Sequence, residues 1–409
     1  MRVSKEIREK AVDYGFESIK YICEEIGPRE SGMPNERKAQ EWLKDQLLTN
    51  GWADEAVIED FTVSRHGLVG FTKIVSVLLV LAAAIQFVGY FVTAAAMWCH
   101  IVTIVLAALS FTITVLEFLM YKPFIDPFLP KTTSGNVYAR YKSAGETKRR
   151  IIFSGHCDSA YEWTLMKIKP AFMITVIVMC VVGVLASVAL CIYGAVKGAT
   201  PVWSLVVTMV FVPFYVLLYF FCTFKVVVPG ANDNLTGVLA SVGVLKCLKE
   251  SGIRFENTEV DVVLTGSEEA GLRGAKEWAK AHKNDYNDVP TFIIAYDTIH
   301  EGKFLQVNQK DLNATVKADA EISRRFKEAA DKLGITCNVG NVPFGATDSA
   351  AFNQGGFRAT GITAMNHNLQ NYYHTRYDSY DNLDKEALAD CFAVSVQVLE
   401  DLENHGADK

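Results

Sequence analysis

TEVDVVLTGSEEAGLRGAKEWAKAH, residues 258–282, changes character halfway along. Thr258 to Thr265 run apolar and β-branched, the composition of a strand buried on both faces. From Arg273 the apolar residues Ala275, Trp278 and Ala279 recur at helical spacing. Between strand and helix stands an acid pair, Glu268–Glu269, followed by glycine. The same alternation recurs outward from this stretch. PTFIIAYD (290–297) reads as a strand, LTGVLASVGVLKCLKE (235–250) as a helix, and VYARYK and RRIIFSGH as two strands joined by SAGETK. The N-terminus is helical to about Asn50, and a strand follows over Ala56–Val63. Strands alternating with helices specify an α/β fold: a mixed, mostly parallel central sheet flanked by helices.

Four apolar runs interrupt that pattern: Ile74–Ala96, Ile101–Met120, Ala171–Tyr193 and Val202–Thr223. Each reaches the length of about 20 residues that crosses a bilayer core. None holds Lys, Arg or Asp, and their one acid is Glu117. MWCH links the first pair and GAVKGATP the second, so the runs read as two transmembrane hairpins, 74–120 and 171–224. The remaining pieces, 1–66, 132–168 and 225–409, then lie on one side as parts of a catalytic domain. Arg65, Lys73, Lys122, Lys131, Lys167, Lys169 and Lys225 flank that side, against Lys197 on the other. The bias predicts an integral membrane protein of four spans, with the catalytic domain and both termini cytoplasmic. The N-terminus has no apolar core of signal-peptide length, and nine scattered cysteines form no CxxC pair, which agrees with a reducing compartment. A net charge of −6 offers no basic field for nucleic acid.

Chemistry gathers where apolar strands turn polar. RRIIFSGHCD ends on His156 and Asp158, DVVLTGSEE on Glu268 and Glu269, and FIIAYD on Asp297. PGANDNLTG presents Asp233 in a tight loop before a helix, and YYHTRYDSYDN places His374 in a polar loop. Taken singly these are ordinary: a lone His-x-Asp is usually a hydrogen-bonded pair, and an Asp beside Gly and Asn is usually a turn or a cap. As a set, two imidazoles and several carboxylates at strand ends suit zinc, and suffice for two ions sharing a bridge. Cys157 alternates away from the face of His156 and Asp158.

In this order, GHCDS, PGANDNLTG, GSEEAGLRGAKEW, AYD and YHTRYDSYDNLD resemble the di-zinc aminopeptidases related to glutamate carboxypeptidase and the transferrin receptor. IGPRESGMPNERKAQEWLKDQL is similar to their opening helix, and FGATDSAAFNQGGFRATGI to their substrate-pocket segment. The resemblance covers the three polar pieces and none of the apolar runs. It implies two zinc ions per chain bridged by Asp233, with His156 and Asp297 completing one and Glu269 and His374 the other. It further implies Glu268 as general base, Asp158 orienting the imidazole of His156, and an amide-bond substrate. Tyr373, next to His374, is placed to donate to the developing oxyanion, or else packs as an aromatic.

Two departures stand out. ATDSAAF replaces the Ser-Asp-His of many relatives, and 77 positions separate His156 from Asp233 because the second hairpin fills the gap. A membrane-embedded aminopeptidase is the leading expectation. An N-acyl amino acid or lipid amide hydrolase, or a glutaminyl-cyclase-like enzyme, is the alternative, and a metal-free receptor or scaffold is third. The hairpins serve either to anchor the enzyme or to deliver a lipophilic or membrane-derived substrate.

Overall fold

The computed structural model describes residues 3–366, 368 and 370–407. In chain order the helices are α1 (Lys5–Tyr21), α2 (Pro34–Thr49), α3 (Phe71–Phe91), α4 (Ala96–Thr114), α5 (Thr164–Ile168), α6 (Pro170–Lys197), α7 (Val202–Tyr219), α8 (Thr236–Glu250), α9 (Arg273–His282), α10 (Ala320–Leu333), α11 (Asp348–Gln354) and α12 (Lys385–His405). The strands are β1 (Glu55–Val63), β2 (Thr132–Tyr141), β3 (Arg149–His156), β4 (Tyr161–Glu162), β5 (Thr223–Val227), β6 (Thr258–Thr265), β7 (Thr291–Ile299), β8 (Gln306–Asp311), β9 (Val316–Lys317), β10 (Asn338–Asn341) and β11 (Arg358–Ala364). They fall into two compact units, one of residues 1–65, 130–160 and 227–409, the other of 66–129 and 161–226.

The first unit is built on a sheet of order β1-β2-β6-β3-β7-β11-β8-β10, with β9 added to β8. β6, β3, β7 and β11 run parallel at its centre, whereas β1 and β2 are antiparallel and β2 meets β6 antiparallel. β2 and β3, although joined by a short link, do not pair; β6 lies between them. Every residue of β6 is buried, as a central parallel strand requires. Ile151 and Phe153 of β3, with Val260, Val262 and Leu264 of β6, face a core shared with α1, α2, α8, α10 and α12. On the other face, Trp278 of α9 packs against Phe352 of α11 and against Phe357. α8 is buried over Thr236–Leu248, which explains why its sequence is apolar around the whole circumference.

The second unit holds four helices long and apolar enough to cross a membrane: Phe71–Phe91, Thr93–Leu119, Pro170–Lys197 and Val202–Tyr219. The break in the first hairpin differs from the sequence expectation. It falls at Val92–Ala95, where a single 3₁₀ turn closes, and Met97–His100 lie inside α4. α3 begins at Phe71, three residues before the apolar run, so its 21 residues already span about 31 Å by Phe91. At the second turn Gly198 takes the left-handed conformation that ends α6, and Pro201 precedes α7. Lys73 at the start of α3 donates to the carbonyls of Tyr219 and Cys222 at the end of α7, 3.0 and 3.3 Å away. At the opposite ends, Thr200 and His100 Nε2 lie 3.4 Å apart. The two turns therefore share one end of this bundle and the four chain connections share the other. Buried Glu117 accepts from the Ile125 N–H at 2.6 Å.

Candidate metal centre

Three carboxyl-terminal strand ends of the first unit converge, the place where open α/β sheets carry their sites. β3 ends on His156, β6 leads through Gly266 and Ser267 to Glu268 and Glu269, and β7 carries Asp297 near its end. Asp233 stands in the loop before α8, whose entry depends on Gly230 at φ +62°. Ser267, Thr298 and His374 hold left-handed backbone without being glycine, at φ 53°, 52° and 50°. Such strain of roughly 1–3 kcal/mol per residue persists where surrounding contacts over-determine the backbone, and here it sits beside Glu268 and Asp297 and on His374.

Asp233 lies at the middle of the cluster. Its Oδ1 is 3.1 Å from His156 Nε2, and its Oδ2 is 3.0 Å from His374 Nε2. Glu269 Oε1 approaches the same His374 nitrogen at 3.3 Å, and Glu268 Oε2 comes to 3.9 Å of His156. His156, Asp233 and Glu269 each bring a ligand atom to within 4.8 Å of the others. Asp297 is half-buried, bonded to the Thr298 hydroxyl at 2.9 Å, and close enough to feel the charge of Asp233. Tyr373 stacks on the His374 ring with centroids 4.0 Å apart.

Several residues position these groups, and of them only Asp158 was marked by the sequence. Asp158 accepts from Ser31 Oγ (2.8 Å) and from the N–H groups of Glu268 and Glu269 (2.9 and 3.0 Å). It thus holds the acid pair as well as the His156 ring, whose Nδ1 is 3.4 Å from its Oδ1. Asp378 does the same for the Asp233 loop, accepting from Asn232 N and Nδ2 at 2.8 Å and from Asp233 N at 3.0 Å. Glu36, on α2, accepts from Ser267 N and Ser134 Oγ, both at 2.8 Å. Arg29 is fully buried and donates to the carbonyls of Cys157, Pro229 and Gly230 at 2.7, 2.8 and 2.9 Å. Asp378 sits four residues after His374 in YYHTRYDSYDN, the one signal that could have flagged it.

Electrostatics follow from this crowding. Burial, then the Asp233 charge, push Asp297 up to about 8. Burial lifts Glu268 well above the usual carboxylate range, and the charges of Glu269, Asp348 and Asp297 add to it against the pull of His156. Asp233 goes the other way: burial would raise it, but hydrogen bonds from His156 and His374 hold it below its ordinary value. His374 resists burial and rises to about 10 because Glu269 and Asp233 face it. Carboxylates this close are stable together only with positive charge among them, and imidazole nitrogen with carboxylate oxygen is a donor set that zinc takes. The residues present therefore fit a zinc centre.

Known proteins share this architecture. Residues 217–399 match the model of Peptidase family M28. An aminopeptidase from Aneurinibacillus sp. strain AM-1 shares the fold at a TM-score of 0.56 and 14% identity, over 97% of this chain and 95% of that one. A zinc aminopeptidase from Bacillus subtilis aligns at 0.55 and 14% identity, over 94% of each chain. Glutaminyl cyclase from Bacteroides thetaiotaomicron aligns at 0.53 and 12% identity, over 95% of this chain and 96% of that one. No curated protein matches the sequence. Residues 217–399 are thus similar to Peptidase family M28, and the chain shares the fold of the zinc aminopeptidases.

Proposed function

We propose that the protein is a membrane-embedded, zinc-dependent aminopeptidase whose centre holds two ions. The observation that carries this reading is the pair of imidazoles on opposite oxygens of Asp233, with Glu269 against one and Glu268 near the other. His156 and Asp297 would hold one ion, Glu269 and His374 the second, and Asp233 both. Bound there, zinc supplies Lewis acidity and brings the pKa of water towards about 7.

The chain's own groups do the rest. Asp158 fixes the His156 ring and, through two N–H bonds, the direction of Glu268 and Glu269. Asp378 fixes the backbone of Asn232 and Asp233. Glu268 is left outside the ligand set, and burial, which raises its carboxyl above the usual carboxylate range, makes it a stronger base for taking a proton and handing it to the leaving amine. Tyr373, which stacks on the His374 ring, would donate towards the oxygen that gains charge. The four apolar helices are read as two membrane hairpins with the metal centre on the cytoplasmic side; lipophilic or membrane-derived peptides are substrates to be compared with soluble ones.

Purified protein is expected to bind about two zinc per chain, as two sites with open positions require. Glu268→Gln should keep that zinc and lose about 100- to 10,000-fold in turnover, the usual span of a general base. Full activity in the substituted enzyme would remove Glu268 from this role. The glutaminyl cyclase fold likeness gives the second reading its test: release of ammonia from amino-terminal glutamine, with no amino acid freed, would favour a cyclase.

A further inference from the structure

Glu117 is the one acid in the four apolar runs, and it is buried. Its Oε1 accepts from the N–H of Ile125 at 2.6 Å, and the chain between the two is folded back on the helix end. Met120 N donates to Val115 O at 2.9 Å, Lys122 N to Leu116 O at 2.7 Å, and Tyr121 turns the backbone at φ 51°. Phe124 N donates to Lys122 O at 2.8 Å, and Phe128 N closes a turn on Ile125 O at 2.9 Å. An acid in an apolar run is costly, and here it holds a loop in one shape.

That loop, PFIDPF at 123–128, sorts its side chains in the opposite way to a soluble turn. Ile125 and Asp126 are buried, whereas Phe124 is exposed and Phe128 is 83% exposed, more than any other large hydrophobic among the described residues. Pro123 and Pro127 restrict its backbone further. The loop follows the helical stretch Thr93–Leu119, whose 27 residues reach about 40 Å against a bilayer core of about 30 Å. Lys122 stands exposed at its start. Elsewhere at the connection end of the bundle the pairing recurs, exposed Ile168 with Lys169 before α6 and exposed Phe220 with Lys225 after α7. Aromatic groups next to lysines match the boundary between acyl chains and headgroups, and a negatively charged leaflet attracts the lysines.

We propose that residues 123–128 are an interfacial wedge for an anionic phospholipid leaflet. Phe124 and Phe128 insert about 5–10 Å into the boundary of headgroups and acyl chains, and Lys122 meets the lipid phosphates. The proposal rests on the membrane reading of the four helices and adds a second mode of attachment to it. Glu117 is the positioning residue, since its bond to Ile125 N keeps the two phenylalanines outward.

The test is the fluorescence of full-length protein carrying one NBD label, in vesicles of phosphatidylcholine and phosphatidylglycerol. Cys23→Ser removes the one native thiol that is not buried, and Pro127→Cys sets the label on the exposed loop. Lipids spin-labelled near the headgroup should quench it at least about twofold more than lipids spin-labelled near the chain ends, the order of an interfacial site. Val105→Cys, exposed at the middle of α4, should show the reverse order. Phe124→Ser combined with Phe128→Ser should abolish lipid quenching at position 127 and leave it at 105. Glu117→Leu should do the same, and Glu117→Gln, which keeps an acceptor for the Ile125 N–H, should retain the quenching. Vesicles of phosphatidylcholine alone should weaken it. A label at 127 that aqueous iodide quenches and lipid does not overturns the proposal, as does lipid quenching that survives both serine substitutions. A blue-shifted label that no lipid quenches also overturns it, since a second copy of the chain or another protein would then cover the loop. Equal quenching without phosphatidylglycerol overturns the anionic assignment, and native quenching in Glu117→Leu removes Glu117 from its role. Absence of lipid quenching at 105 sinks the spanning reading itself, whatever position 127 shows.

Discussion

Arg29 shows how much of the site is held by a single side chain that touches no candidate ligand atom. Its guanidinium joins Cys157 O in the His156–Asp158 loop to Pro229 O and Gly230 O in the Asp233 loop, two segments that the sequence separates by the second hairpin. Ser159 adds to the same stitch, donating to Val228 O at 2.9 Å and accepting from Arg29 N at 3.0 Å. Arg29→Met would fill similar volume but leave three buried acceptors bare, at about 1–3 kcal/mol each. A fall in thermal midpoint together with weaker zinc retention is expected, and Arg29→Lys should recover part of both. Unchanged zinc affinity in Arg29→Met would mean the loops keep their spacing without it. Nothing in IGPRE announces this role, because one short stretch does not encode carbonyl partners in two distant loops. The five ligand candidates were legible for the opposite reason. Each stands where an apolar strand or a glycine-bounded loop gives way to polar sequence, so period alone marks the place. Asp378, Glu36 and Arg29 act on backbone groups 128 to 231 positions away, and no local pattern encodes such partners.

Among elements, the contact that sets the centre's depth is that of β3 with the start of α8. A Cβ on Gly155 would lie 2.4 Å from Gly237 C and 2.6 Å from Val238 N, backbone atoms that cannot swing aside. Gly237 is in turn pressed against Tyr296 O of β7 and the Asn234 side chain. Asn234 ties the layers together, donating to Tyr296 O at 2.8 Å and accepting from Gly237 N at 2.9 Å. Gly155→Ala must therefore push α8, and the Asp233 loop ahead of it, off the sheet. Overpacking of this sort costs about 1–3 kcal/mol. Unfolding and zinc titration should show lower stability and lower affinity together; a stable variant with native zinc binding would show that α8 can yield. The sequence made both elements plain but not this contact, and it made β2 and β3 plain but not the strand between them. Periodicity reports which face of an element is buried. It does not report the neighbour, and β6, a hundred residues along the chain, is the neighbour here.

For the whole molecule, the chain leaves the metal-centre unit after Ala160 and returns at Val227, and an earlier excursion runs from His66 to Leu129. Both excursions are legible as apolar runs, because about 20 residues of unbroken apolar sequence match a bilayer core far better than the one-sided face of a soluble helix. The turn of the first escapes the pattern because no glycine, proline or charge marks Val92–Ala95. Within the helical unit, the Lys73–Tyr219 and His100–Thr200 contacts gather the loose ends at one side and the turns at the other. The seven basic residues flanking the loose ends, against Lys197 near the turns, predict a bundle with its connections in the cytoplasm. Single-cysteine labelling tests this directly. The native thiols give little background, since eight of the nine are buried. Lys197→Cys and Lys142→Cys both place a thiol at an exposed position, one at the turn end and one on the sheet unit. In intact cells a membrane-impermeant maleimide should modify the Lys197→Cys protein and spare the Lys142→Cys protein until the membrane is opened. The reverse pattern would put the metal centre outside the cell membrane or in a lumen, and equal labelling of both in intact cells would mean the two hairpins do not span.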